Sequence, residues 1–176
     1  MAHVRLLRLL RMMARHLFTR AKKFDSRHEH VWVMRPGLND IDVYPEVNNG
    51  RHFVLFDLAR YEVAMKIGLF RWVRKTRSAF VVAGSTIRYR HRLLPWRRTE
   101  IHTQLVGMDE RFFYFHHKTV QRGKTCSVAL VRTGVRRNGV VPPIEVMDGI
   151  GMPIEPFMEP WVAEWNDWDS RQADKA

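Results

Sequence analysis

The distribution of apolar and polar positions predicts one strand, one long helix and then four more strands. Residues 29–35 contain a short apolar run and lead into a Pro-Gly pair, which is typical of a strand closed by a turn. From Asn49 to about Phe70 the chain is apolar on nearly all sides of a helical projection, which predicts one long, mostly buried helix. Alternation then predicts strands at 81–90, 99–106, 111–120 and 125–135.

Short turns separate the last four predicted strands, so we expect them to pair in chain order as an antiparallel meander. This order of elements is that of an α+β domain, in which one long central helix lies on a curved antiparallel sheet. We expect Asn48 or Asn49 to cap the helix, because an asparagine side chain accepts hydrogen bonds from the first free backbone amides.

The first part of the chain, residues 1–25, is predicted to form a basic amphipathic helix. Apolar side chains recur at helical spacing over residues 4–22, and residues 1–24 contain seven Arg or Lys and no acid. Arginines interrupt every apolar run, which argues against a membrane span and a secretory signal. Three interpretations remain open: peripheral binding to an anionic membrane surface, an organelle transit sequence, and a helix that packs on the rest of the protein.

The last part of the chain, residues 146–176, is an acidic tail rich in tryptophan. Eight of the 18 acidic residues lie in 141–176, and Trp161, Trp165 and Trp168 recur at helical spacing. A tryptophan stripe of this kind is expected to dock on its own domain or on a sister subunit. The remaining residues, 26–145, are expected to form the central domain.

Composition and charge limit the possible functions. A chain of 176 residues with 45% hydrophobic residues can form a single domain with a real core. The net charge of +12 would suggest a nucleic-acid partner. The charge is uneven, however: the N-terminal segment is strongly basic, the central segment moderately basic and the C-terminal segment acidic. This layout weakens that interpretation, and no nucleic-acid partner is expected.

The lone cysteine, Cys126, excludes an internal disulfide and fits a reducing compartment. A cytoplasmic location is therefore expected, with peripheral membrane binding through residues 4–22 as an open alternative. Cys126 lies in an apolar run, which predicts a small buried core residue rather than a nucleophile.

Two carboxylates and two asparagines lie directly before the predicted long helix. They are Asp40, Asp42, Asn48 and Asn49. A carboxylate at such a junction can lie near the open amides of a helix N-terminus, where an anion or a polarised carbonyl oxygen is stabilised. A carboxylate and an oxyanion-binding amide are the smallest set of groups that can hydrolyse an acyl compound. The same residue types also fit a capped helix preceded by an Asx-rich turn, with Asp40 accepting backbone amides.

This stretch resembles the hotdog-fold acyl-CoA thioesterases of the 4-hydroxybenzoyl-CoA thioesterase type. Many of them carry an Asp-x-Asp-x-x-x-His-x-Asn-Asn pattern before their central helix. The four residues just named match that pattern, whereas Glu46 stands where His is common. The resemblance continues to about residue 145, in element order and in the string Val81-Val82-Ala83-Gly84.

The resemblance implies a hotdog fold, in which the sheet wraps the helix, and hydrolysis of an acyl-CoA thioester to a free acid and CoA. It implies a homodimer or a dimer of dimers with active sites at the subunit interface. It assigns Asp42 as general base or nucleophile and the backbone amide of Asn49 as the donor to the oxyanion. Asn48 would orient Asp42 or its loop. No cofactor is expected.

A cluster of arginines begins at the end of the predicted second strand, continues past the following turn, and can bind the phosphates of CoA. The cluster comprises Arg88, Arg90, Arg92 and Arg97. The first three are expected to share one strand face, and a solvated, membrane-facing or RNA-facing surface is the alternative use. His116 and His117 should point to opposite sheet faces, so they are not expected to bind a metal together.

The sequence therefore supports two functional hypotheses of different classes. The first is an acyl-CoA thioesterase. The second is a non-catalytic acyl-CoA- or lipid-binding protein, or a membrane-associated scaffold, of the same fold. RNA binding is a weaker third, because no exposed aromatic stacking motif is evident. A hotdog dehydratase is the rival enzyme, but a clear His with a helical acid in the dehydratase pattern is not found.

Overall fold

The computed structural model describes residues 28–173, so the helix predicted at 4–22 lies outside the described residues. The strands are β1 (His30–Met34), β2 (Ala79–Tyr89), β3 (Thr99–Met108), β4 (Phe113–Gln121), β5 (Lys124–Arg136), β6 (Val140–Val141) and β7 (Phe157–Met158). The helices are α1 (Asn49–Lys66), α2 (Leu69–Lys75), α3 (Pro143–Gly149) and α4 (Pro160–Ala173), and Leu38–Asp40 form one 3-10 turn. The predicted α+β class is confirmed.

The strands form one antiparallel sheet in the order β1-β3-β4-β5-β2, to which β6 and β7 add short pairings. The expected meander is correct for β3, β4 and β5 but wrong for β2, which pairs with β5 rather than with β3. The connection between β2 and β3, residues 90–98, is too long for a tight hairpin. It lets the chain pass from β2 to β3, which lies beyond β5 and β4 in the sheet. As a result β2 forms an outer edge.

The long helix ends earlier than its sequence pattern predicts. α1 stops at Lys66, and Gly68 adopts a left-handed conformation with φ of 80° before α2 begins. A residue without a Cβ takes this conformation at little cost, so the apolar pattern continues across a break in the backbone. The prediction of a single helix to Phe70 is therefore wrong in its last turn.

Helices cover both faces of the sheet. On the inner face, Phe56 of α1 packs against Ala129 and Val131 of β5 in one buried cluster. On the outer face, Val162 of α4 packs against Leu130 of β5, which lies between those two residues in the strand. The tryptophan-rich segment thus docks on its own domain, as predicted.

None of the helices found between residues 28 and 173 combines the length and the hydropathy that a bilayer crossing requires.

Candidate active site

The loop before α1 is organised around a buried carboxylate, Asp40. Its Oδ2 accepts the backbone amide of Gly37 at 2.9 Å, and its backbone carbonyl accepts the amide of Asn48 at 2.8 Å. Arg51 lies 3.7 Å from the other oxygen as an ion-pair partner. Asp40 therefore stabilises the loop from inside, which agrees with the prediction that it accepts backbone amides.

Asp42 lies on the exposed side of the same loop. Its Oδ1 accepts the amide of Val43 at 2.8 Å, and its Oδ2 accepts Nδ2 of Asn48 at 2.8 Å. Its own backbone amide donates to the carbonyl of Glu46 at 2.9 Å, which closes the loop beneath it. These three bonds fix the carboxylate while leaving it open to solvent.

Asn48 joins this carboxylate to the start of α1. While its Nδ2 donates to Asp42, its Oδ1 accepts the amide of Gly50 at 2.9 Å as the N-cap of the helix. Its backbone carbonyl accepts the amide of Arg51 at 2.9 Å. Within residues 28–173 the amide of Asn49 has no acceptor, so one N–H at the helix N-terminus remains open beside the Asp42–Asn48 pair.

Glu46 is paired with an arginine rather than directed at Asp42. Its carboxylate lies 3.2 Å from Nε of Arg92, without hydrogen-bond geometry, and the Arg92 side chain is 81% exposed. An exposed pair of this kind stabilises a protein by only about 0–1 kcal/mol. The pair does, however, place a positive charge next to the acid that departs from the His of the motif described above.

The structure does not bring the four predicted phosphate-binding arginines together. β2 ends at Tyr89, so the expected strand face shared by Arg88, Arg90 and Arg92 does not exist. Arg88 lies opposite Val128 on the outer face of the sheet. Arg90 lines the same outer groove, Arg92 turns back to Glu46, and Arg97 lies exposed in the connection to β3. Of the four, only Arg92 approaches the Asp42 loop, and phosphate binding by any of them stays a prediction.

Cys126 and the neighbouring pair His116 and His117 occupy the positions that their sequence context predicts. Cys126 is buried, and burial raises the pKa of its thiol, which fits a core residue. His117 stacks on Phe56 of α1, whereas His116 contacts Trp161 of α4, so the two rings lie on opposite faces of the sheet. In the described part of the chain no group of three or more acidic, His or Cys side chains could hold a metal ion.

A buried polar network supports the first turn of α1, and sequence reasoning missed it. Nδ1 of His52 lies 2.8 Å from Oγ of Ser127, which in turn lies 2.8 Å from Oγ1 of Thr119. Tyr89 packs edge-on against the His52 ring and donates its hydroxyl to the carbonyl of Asn49 at 2.9 Å. These contacts hold the helix start against β2 and β5, and thereby fix the direction of the open amide.

The network makes stability depend on pH, because burial lowers the pKa of His52 from 6.5 to about 4. Between these values the unfolded chain binds more protons than the folded one. The free energy of unfolding is therefore expected to decrease by about 3 kcal/mol as pH falls from 6.5 to 4. Urea titrations at several pH values measure this slope.

His52→Asn keeps a side-chain amide near Ser127 but cannot be protonated in this range. The variant is expected to have a shallower pH dependence than the wild type. Some slope will persist, because burial and the neighbouring charge of Arg60 also hold the pKa of His117 well below its ordinary value. Equal slopes for the two proteins would show that His52 is not neutral and buried in solution.

An apolar cavity runs along α1 beyond this first turn. It has a volume of about 120 Å³ and lies between α1, α2 and the inner face of the sheet. Its wall includes Asp57 and Tyr61 of α1, Phe80 of β2 and Phe115 of β4. Asp57 is eight residues after Asn49, so the near end of the cavity lies about 12 Å further along the axis of α1 and is rotated by about 80° from Asn49.

Comparison with known proteins finds curated relatives of this chain. Protein THEM6 of Danio rerio is 35% identical over 115 residues, which cover 64% of this chain and 57% of that protein. The matches to this and two further THEM6 proteins cover 45–57% of their lengths, so the chain spans about half the length of the curated relatives it matches.

Solved structures share the fold at low sequence identity. The gentisyl-coenzyme A thioesterase BH1999 superposes with a TM-score of 0.62 at 17% identity, over 69% of this chain and 99% of that one. A 1,4-dihydroxy-2-naphthoyl-CoA thioesterase from Synechocystis superposes with a TM-score of 0.62 at 10% identity, over 70% and 95% of the two chains. The sequence profile of the Thioesterase-like superfamily matches residues 36–165. The chain therefore belongs to the Thioesterase-like superfamily and has its hotdog fold.

Proposed function

We propose that the protein hydrolyses an acyl-CoA thioester to a free acid and CoA. The observation that carries the proposal is the Asp42 carboxylate, which Asn48 ties at 2.8 Å to the N-terminus of α1, where the Asn49 amide is open. A fixed carboxylate beside an unsatisfied helix amide provides both a base or nucleophile and a donor to a developing oxyanion. The structural relatives named above as CoA thioesterases support this chemistry.

Two routes use the same residues. In the first, Asp42 takes a proton from water, and the resulting hydroxide attacks the thioester carbonyl. In the second, a carboxylate oxygen of Asp42 attacks and forms a mixed anhydride, which water then hydrolyses. In both routes the Asn49 amide donates to the carbonyl oxygen as negative charge develops there. In the first route the C–S bond breaks as the tetrahedral intermediate collapses, and in the second it breaks as the mixed anhydride forms, before water attacks. In both routes the CoA thiolate leaves and takes up a proton.

The cavity along α1 is the proposed site of the acyl group. It begins about 12 Å along the axis of α1 from Asn49 and is lined mainly by apolar side chains, as an acyl chain requires. The nucleotide part of CoA would then remain outside, where Arg92 and Arg97 are exposed. Arg88 and Arg90 lie on the far face of the sheet, so they are weaker candidates for this role in a single subunit.

We propose further that the active unit is a homodimer or a dimer of dimers. β2 spans Ala79–Tyr89 and pairs with β5 on one side, and its side chains are largely exposed. A long edge strand of this kind can pair with a second copy. Asp42 is open to solvent in the single chain, and a neighbouring subunit would cover it.

A non-catalytic acyl-binding protein is the second candidate. It is favoured by Glu46, which adds an acid to the Asp42 loop at the position where the resembled motif commonly has His, and by the exposure of Asp42 in the single chain. Such a protein would use the same cavity without turnover.

A panel of acyl-CoA substrates, followed with a thiol reagent, separates the two candidates. The thioesterase is expected to release CoA in saturable fashion from at least one aliphatic or aromatic member. The panel should be paired with calorimetric titration of the same compounds. Tight binding without release of thiol from any member would favour the non-catalytic protein.

A further inference from the structure

The cavity along α1 has one unusual feature, a cation in a mainly apolar wall. Among the described lining residues, Arg60 is the only one with a positive charge. Its side chain is only 10% exposed, whereas that of Asp57 is 34% exposed. Apolar neighbours such as Phe115 and Leu105 contribute most of the remaining surface. A buried guanidinium in such a place needs oxygen or nitrogen acceptors.

Two contacts hold the guanidinium in a defined orientation. One terminal nitrogen, Nη2, donates to Asp57, which supplies the opposite charge. The other, Nη1, lies 2.9 Å from Nε2 of His117. Because a guanidinium can only donate, Nε2 of His117 must accept, and its Nδ1 then donates to Oγ1 of Thr103 at 3.0 Å. The fully buried His117 thereby anchors Arg60 to β3 and β4.

These contacts leave part of the guanidinium available to a ligand. An arginine has five N–H donors, and the contacts to Asp57 and His117 use two of them. Asp57 already balances the charge of Arg60, so a neutral oxygen acceptor costs less to bury here than a second carboxylate. A plain alkyl chain would instead remove water from these donors without replacing its hydrogen bonds.

We propose that Arg60 makes the cavity selective for acyl groups that carry a neutral oxygen, a hydroxyl or keto group, well away from the thioester. The inference rests on the proposed function only for the statement that the ligand is an acyl group. Asn49 and Arg60 lie about 16 Å apart along the axis of α1. The oxygen therefore belongs in the distal half of a long chain rather than next to the thioester.

The test uses matched pairs of long-chain acyl-CoA substrates, one plain and one with a distal hydroxyl group. The wild-type ratio of kcat/KM values is expected to favour the hydroxylated member by about tenfold or more, the effect of one charge-assisted hydrogen bond. In Arg60→Met this ratio is expected to fall to about one. Arg60→Lys keeps a charge and donors, and is expected to retain part of the preference. Asp148→Asn, an exposed change on α3, should retain all of it.

The preference for the hydroxylated ligand is also measured as a ratio of binding affinities. The inference can then fail separately from the proposed function. Calorimetry with the corresponding free acids, plain and hydroxylated, needs no turnover. A hydroxyl preference in binding that Arg60→Met abolishes supports the inference even if no thioester is cleaved. Equal affinities in the wild type, a preference that survives in folded Arg60→Met, or a stronger preference for a distal carboxylate would each overturn it. If Arg60→Met does not fold, the wild-type and Arg60→Lys ratios decide.

Discussion

Asp42→Asn is expected to lower kcat for acyl-CoA hydrolysis by at least about 100-fold, with a much smaller change in KM. Asparagine has nearly the same shape and can still contact Asn48, so the loop should persist. The amide can neither take a proton from water nor attack the thioester, so both proposed routes lose their reacting group. Steady-state release of thiol from the best substrate of the panel measures the effect.

The matched control for this variant is Asp148→Asn, which removes an exposed carboxylate from α3. It should leave kcat and KM within about twofold of the wild-type values, because surface changes away from a site rarely alter it. Thermal unfolding of both variants confirms that the comparison is between folded proteins. Full activity in Asp42→Asn would remove Asp42 from the reaction and leave the loop as an ordinary capped turn.

Phe56→Ala is expected to lower the free energy of unfolding by about 3–5 kcal/mol. Phe56 is fully buried at the middle of the contact between α1 and the sheet. Its ring stacks on His117 at 4.8 Å and packs edge-on against Phe53 at 6.4 Å. Truncation leaves a cavity between helix and sheet that these rings cannot fill without moving.

Urea denaturation measures this loss as a shift in midpoint at constant slope. Val43→Ala is a suitable control, because Val43 is 92% exposed in the loop beside Asp42 and should change stability by less than about 0.5 kcal/mol. A loss below about 1 kcal/mol for Phe56→Ala would contradict the placement of α1 on the inner face of the sheet.

The local elements of this fold could be predicted from sequence, because each has its own periodicity. β4 alternates Phe113 and Phe115 with Tyr114 and His116, and the structure directs these pairs to opposite faces. The cap at Asn48 was also predictable, since its side chain acts within two residues of its own position. Such features depend on short stretches of chain.

The features that the sequence did not reveal depend on distant parts of the chain. β2 alternates as any edge or central strand does, so its pairing with β5 could not be read from its own residues. The hydrogen bond between His52 and Ser127 joins residues on different elements, as does the contact between Arg60 and His117. The break at Gly68 gave a weak signal, since glycine is also tolerated inside helices.

The candidate site was only half predictable. Residue types and spacing indicated an acid near a helix start, but residue types alone favour a simple capped turn over a catalytic site. The resemblance to thioesterases was needed to single out Asp42, and the structure adds the bond through which Asn48 holds it. The structure also shows that Asp40 is buried and Asp42 exposed, a difference in burial that two acids in one motif do not reveal.

The most direct test of the account is the response of the Asn49 backbone amide to a bound substrate analogue. An acyl-CoA in which a methylene group replaces the thioester sulfur keeps the carbonyl but cannot be hydrolysed. In an NMR titration of the ¹⁵N-labelled protein, the amide proton of Asn49 should move downfield as its N–H bonds to that carbonyl. An analogue that saturates the protein while the Asn49 signal stays in place would show that the carbonyl binds elsewhere.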